Sequence, residues 1–264
     1  MTNTDPLELL DIARSIAAEA GTLAAAMRSD GISVEATKSS QLDIVTQADT
    51  AVEALIREKL TAARPHDGFF GEETGEVRGS SGITWIVDPI DGTVNYLYGS
   101  SYYAVSIAAT VQDDAGVRTS VAGCVYAPAL SAEYTAAVGH PAHLNNIPLH
   151  VNQKVPLEKA LVSTGIPYDL TKRARVLKDI NHLTPLIRDF RLVGAAALEI
   201  VGVAEGRTDG HFQRGLPIWD YAAATLIAAQ AGADVRGTDS PAPTAELLVI
   251  ADPPLADSLE PLLA

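Results

Sequence analysis

Four groups of carboxylates punctuate this sequence where regular structure is expected to end. They are Asp43 and Asp49 in KSSQLDIVTQAD (Lys38–Asp49), Glu72 and Glu73 in GFFGEE, Asp88 and Asp91 in WIVDPIDGTVNY (Trp85–Tyr96), and Asp220 in IWDY. Apolar strands lead into at least two of them, and loops at strand ends are where α/β folds place ligands. Pro89, between Asp88 and Asp91, fixes φ and removes a backbone donor, which helps splay the two carboxylates instead of pairing them in a ladder. They could flank one or two Mg2+ ions, with the Ile90 carbonyl as a further ligand, because such cations take oxygen donors. Gly92-Thr93 would then begin a helical turn whose free N–H groups suit a phosphate oxygen. Carboxylate-held metals beside a phosphate cradle describe metal-assisted phosphoryl transfer to water. Taken alone, the segment reads equally as an Asx-Pro turn followed by an Asp-Gly turn.

The elements that must position these groups alternate along the chain. Helical periodicity covers Leu7–Met27, and a second helix is expected from Gln47 to Ala63, stopped by Pro65 and Gly68 in RPHDG. GFFGEE and ITWIVD (Ile83–Asp88) read as short buried strands, each ending in acids. From Tyr102 to Val138 the pattern becomes a meander of three strands, and HLNNIPLHV reads as a hairpin turning at Asn145-Asn146. Strand and helix then alternate again: ALVSTGIP, a helix near Lys172–Arg188, FRLVG, a helix at Ala195–Glu205, a strongly patterned helix in IWDYAAATLIAAQAGADV, the strand ELLVIAD and a closing helix. Layers of helix and sheet follow.

Composition narrows the function classes. With 33 acidic against 19 basic residues the formal charge is −14, which argues against direct nucleic-acid binding, since phosphate neutralisation needs clustered Lys and Arg. The single cysteine, Cys124, excludes an internal disulfide and a Cys-based zinc cluster. It fits a small buried residue in a reducing cytoplasm. The N-terminal stretch carries acids in an amphipathic pattern, unlike a signal peptide, and no apolar run approaches the roughly 20 residues of a membrane span. Of the six histidines, His140, His143 and His150 cluster at the hairpin, while His66 and His211 stand alone. Without Cys or tight His spacing they are expected to face solvent. Trp85 and Trp219 are expected to pack beneath the acidic segments.

Three stretches in this order and spacing, GEE (Gly71–Glu73), WIVDPIDGTVNY and WDYAAATLIAAQAGADV (Trp219–Val235), resemble the inositol monophosphatase family. KSSQLDIVTQAD, LVSTGIPYD (Leu161–Asp169) and RLVGAAAL (Arg191–Leu198) agree with its bacterial members. The resemblance runs from Lys38 to Val235. It implies a layered α/β (α+β) sugar-phosphatase fold of alternating α-β-α-β-α layers. It also implies a single domain of two lobes, about 1–150 for metal and phosphate and 151–264 for substrate.

By the same resemblance Glu72, Asp88 and the Ile90 carbonyl would hold a first Mg2+, and Asp88, Asp91 and Asp220 a second. A third, weaker ion would sit near Glu72. Thr93, backed by Asp49, would position and help deprotonate the attacking water, with Glu72 part of the catalytic set. The N–H groups of Gly92 and Thr93 would take the phosphate, and Asp91, Gly194, Ala196 and Gln213 would contact the substrate. Lys38 is a candidate loop contact; Glu73 and Asp43 are expected to support the site or face solvent. The resemblance further implies a homodimer, with the Tyr102–Val138 meander as a contact surface, and inhibition by Li+. Some bacterial relatives act with the transcription machinery, which leaves a non-catalytic regulator as the other reading. Gln213 stands where inositol-specific relatives carry a glutamate, and Ala195 replaces a Ser or Thr. The expected substrate is therefore a small phosphomonoester, inositol 1-phosphate first, with histidinol phosphate or another sugar or nucleotide phosphate as alternatives.

Overall fold

The computed structural model describes residues 5–30, 34–37, 44–237, 244 and 246–263. Lys38 and Asp43 lie outside these residues. The helices are α1 (Pro6–Asp30), α2 (Gln47–Ala63), α3 (Thr93–Leu97), α4 (Leu170–Leu183), α5 (Ala196–Ala204), α6 (Ile218–Gln230) and α7 (Pro253–Leu263). A small antiparallel pair joins β1 (Val34–Thr37) to β2 (Ile44–Thr46).

The larger sheet is built from β3 (Gly68–Gly71), β4 (Gly75–Val77), β5 (Ile83–Asp91), β6 (Ala104–Gln112), β7 (Arg118–Ala127), β8 (Ala132–Ala137), β9 (His143–Leu144) and β10 (Ile147–Pro148). Its order is β10-β9-β8-β7-β6-β5-β3-β4. The second sheet contains β11 (Leu161–Thr164), β12 (Asp189–Arg191), β13 (Gly210–Gln213), β14 (Asp234–Gly237) and β15 (Leu248–Ala251), ordered β12-β11-β13-β15-β14.

Successive side chains on a strand point to opposite faces, and both faces of the large sheet are covered. Trp85, Val87, Val105, Ile107 and Cys124 pack against α1 and α2. Ile86, Ala104, Ala108 and Val125 join α5, α6, Leu248 and Ile250 in a core that continues to the second sheet. Val162, Phe212 and Val249 pack on the far side with α7 and Leu183 of α4. The result is the expected α-β-α-β-α layering. The meander strands β6 and β7 lie between α1 and α6, which leaves their turns, not their faces, exposed.

Several boundaries differ from the sequence reading. The strand expected to stop at Asp88 runs to Asp91. The helix expected at Lys172–Arg188 is α4, begun earlier because Asp169 caps it by accepting from the Thr171 N–H at 2.8 Å. Strand β13, HFQ preceded by Gly210, has no counterpart among the elements expected from the sequence. Asn145 and Asn146 have φ of 48° and 66°, as the turn of a tight hairpin requires. No helix among the described residues is long and apolar enough to cross a membrane.

Candidate active site

Two features of β5 bring the carboxylates together. In the parallel β3–β5 pairing Gly71 lies opposite Val87, so Glu72 emerges next to Asp88. On the other side Asp88 pairs with Ser106 and Asp91 with Ala104. Three steps on β5 therefore match two on β6, a bulge of one residue. In a regular strand residues three apart would face opposite ways; the bulge at Pro89-Ile90 returns Asp88 and Asp91 to the same side. The Asp88 Oδ1 accepts from the Ile90 N–H at 3.0 Å, closing the turn. The acidic strand end is buried after all, with Asp88 2% and Asp91 5% exposed.

Gly92 follows with φ +84°. An added Cβ there would meet Ala195 Cβ and the Tyr102 carbonyl at 3.0 Å, so this turn needs glycine both for conformation and for space. It opens α3, where Asn95 donates through Nδ2 to the carbonyls of Tyr102 and Val193, both at 2.8 Å. Thr93 Oγ1 stands 3.2 Å from Asp49 Oδ1 and 3.2 Å from the Ile90 carbonyl. Asp49 is fixed by the capping box of α2: its Oδ2 accepts from the Thr46 N–H at 2.8 Å and the Thr46 hydroxyl at 2.6 Å.

Residues from α5, α6 and β13 close the site. Asp91 accepts from the N–H groups of Ala196 at 3.0 Å and Ala197 at 2.8 Å. It thereby caps α5 from across the cleft, where the N-cap residue Ala195 supplies no side-chain hydrogen bond. Asp220 comes from the first turn of α6, and Trp219 beside it lines the cleft and packs edge-on against Phe70 at 5.5 Å. One cavity of about 550 Å³ is lined by Glu72, Asp88, Ile90, Asp91, Gly92, Thr93, Gly194, Ala196, Gln213 and Asp220 together. Asp49 stands behind Thr93. Glu73 serves through its backbone: its N–H and that of Thr74 donate to the Glu53 carboxylate at 2.8 and 2.9 Å. Glu53 thus holds the turn that carries Glu72, a role its place inside an ordinary helical pattern concealed. Lys172 and Tyr168, also unmarked in the sequence, line the outer part of the cavity.

The donor set suits a divalent cation. Burial, then the charges of Glu72, Asp91 and Asp220, hold the Asp88 carboxyl well above its ordinary range. Burial raises Asp91 to about 7 against the opposing N–H groups of α5. Carboxylates so crowded are comfortable only when protonated or sharing a cation. Among the described residues no three His, Cys, Asp or Glu side chains close on a single point. Mg2+ keeps several waters, which together with substrate oxygens would complete a shell around these carboxylates.

His211 corrects the sequence reading. Expected in solvent, it is fully buried on β13, with Nδ1 3.0 Å from Ser163 Oγ. It sits there because alternation on β13 turns residues 211 and 213 to one side, toward α5. Burial lowers its pKa from 6.5 to about 3. The unfolded chain therefore takes up this proton first, and the group costs stability as pH falls below 6.5, by about 1.4 kcal/mol per unit. His211→Phe is expected to flatten the loss of urea stability between pH 6.5 and 4.5. An unchanged slope would show that His211 titrates normally.

The whole chain resembles known proteins. The inositol monophosphatase family model matches residues 5–260. An inositol-1-monophosphatase SuhB of Mycobacterium tuberculosis is 39% identical over 276 residues, covering 97% of this chain and 93% of the relative. A Nus factor SuhB of Haemophilus influenzae is 37% identical over 234 residues, covering 88% and 86%. The crystal structure of an extragenic suppressor protein suhB from Bartonella henselae superposes with a TM-score of 0.88 at 31% identity, covering 97% of this chain and 98% of that one. With the fold and the acidic cleft in agreement, the chain belongs to the inositol monophosphatase family.

Proposed function

We propose that the protein is a Mg2+-dependent phosphomonoesterase that hydrolyses a small polyol phosphate, with myo-inositol 1-phosphate its leading substrate. The observation that carries this reading is the convergence of Glu72, Asp88, Asp91, Asp220 and Thr93 from both lobes on one cavity. Glu72, Asp88 and the Ile90 carbonyl would hold a first Mg2+, and Asp88, Asp91 and Asp220 a second, with a third ion near Glu72. Bound there, the ions would make water more acidic and offset negative charge on the phosphate and the departing oxygen.

The chain's own groups do the rest. The Thr93 hydroxyl donates to Asp49, which leaves its lone pairs to orient a water and Asp49 to take up a proton through it. The N–H groups of Gly92 and Thr93 face the phosphate. Gly194, Ala196 and Gln213 meet the leaving group. The lobes of about 1–150 and 151–264 act as one domain, supported by the core shared between the sheets. The lone buried Cys124 is consistent with a cytoplasmic setting. A homodimer and inhibition by millimolar Li+ belong to the same reading.

Specificity rests on Gln213. Gly165 leaves room for it: a Cβ there would come within 2.6 Å of the Gln213 Cδ. Gln213 lines the cavity beside the buried His211; its amide can accept from a substrate hydroxyl, but it adds no charge. Phosphate release from inositol 1-phosphate should therefore exceed that from histidinol phosphate. Gln213→Glu, which adds a charge facing the ammonium group, should raise kcat/KM for histidinol phosphate by about tenfold. Preference of the wild type for histidinol phosphate would overturn this assignment. A non-catalytic regulator would not need the carboxylates, and none of the expected acidic ligands is replaced.

A further inference from the structure

Glu199 was not among the residues marked by the sequence. It sits one turn into α5, lines the cavity and is 4% exposed. Its Oε1 accepts from the N–H of Val193, in a short bond, and from that of Gly194 at 3.1 Å. A capping box ordinarily returns a carboxylate from the third helical residue to the N-cap N–H. Here the carboxylate comes from the fourth, and it reaches the two residues before the N-cap. The same turn is held from the other lobe, since Asn95 donates to the Val193 carbonyl at 2.8 Å and Asp91 binds the next two N–H groups of α5. Gly194, with φ +82°, has no side chain of its own to restrain it.

Resting on the phosphatase reading above, we propose that Glu199 is a positioning residue for the reaction, a buried clamp that fixes the Val193–Gly194 turn so that Gly194 and Ala196 meet the leaving group in one geometry. Its hydrogen bonds go to the backbone of this turn and not to the acidic wall, so its effect falls on how the rest of the substrate is held. Burial raises its carboxyl to about 8, so near neutral pH the neutral acid prevails. Its other oxygen has no protein partner and lies 4.0 Å from His211 Nδ1. A glutamine has the shape of that neutral acid and keeps the accepting oxygen.

The test compares wild type, E199A and E199Q on inositol 1-phosphate with saturating Mg2+, together with amide hydrogen exchange of the substrate-free proteins. In E199A, KM is expected to rise about tenfold or more, with kcat within about threefold. Exchange should accelerate at Val193 and Gly194, ahead of the body of α5. E199Q should recover most of both effects. If E199A does not fold, E199D, one methylene shorter, carries the same expectations. Unmoved KM and exchange in E199A, or E199Q as impaired as E199A while both remain folded, would overturn the clamp. A loss of kcat that follows melting temperature at constant KM would do so too, by reducing Glu199 to a structural residue. If the wild type releases no phosphate, the phosphatase reading fails instead, and exchange alone decides the clamp.

Discussion

Asp88→Asn is expected to abolish phosphate release and, in the same molecule, to raise the melting temperature of the Mg2+-free protein. The first effect follows from its place between Glu72 and Asp91, where it would contribute to both cation positions. Losing several kcal/mol of charge stabilisation corresponds to about a thousandfold or more in rate. The second follows from burial. The folded state holds the Asp88 carboxyl well above its ordinary 3.8. The unfolded state ionises it freely, so above that pH the group subtracts from stability. Asparagine keeps the shape without the charge, and each kcal/mol relieved is worth roughly 2–4 °C in a chain of this size. Mg2+ should stabilise the wild type by mass action and the variant far less. A variant that loses activity and stability together would instead be damaged in fold, and one that keeps activity would remove Asp88 from the machinery.

Thr93→Val separates water activation from metal and substrate binding. The side chain keeps its branched shape and loses the hydroxyl 3.2 Å from Asp49 Oδ1. We expect kcat to fall by about 10²–10⁴, with KM and the Mg2+ requirement little changed, and Thr93→Ser to recover much of the rate. Asp49→Asn is a poorer probe. Asp49 also accepts from the Thr46 N–H and hydroxyl in the α2 capping box, so that change alters helix stability with the rate. A Thr93→Val enzyme with normal kcat would exclude the hydroxyl from the reaction.

How far the sequence exposes this site depends on how far each interaction travels along the chain. Asp88, Asp91 and Gly92 lie in one short segment, where proline, glycine and the end of an apolar strand are visible signals. The helix ends at Gln47 and Asp220 are equally local. Glu53, Asn95 and Glu199 look like ordinary residues of helical segments, because their partners at Glu73, Val193 and Gly194 become neighbours only through turns and sheet pairing. The burial of His211 has the same origin. Strand β13 is short and its inward face is set by its pairing with β11 and β15, neither of which adjoins it in sequence. The length of β5 was hidden by Pro89, which reads as a stop but here occupies a bulge.

The Mg2+ requirement is read most directly from phosphate release from inositol 1-phosphate by the wild-type protein, stripped of divalent ions with a chelator and then given Mg2+. No release above background is expected after stripping, with full recovery on addition of Mg2+. Undiminished release by the stripped protein would contradict that requirement, because the acidic wall built by Glu72, Asp88, Asp91 and Asp220 would then have no part in the chemistry.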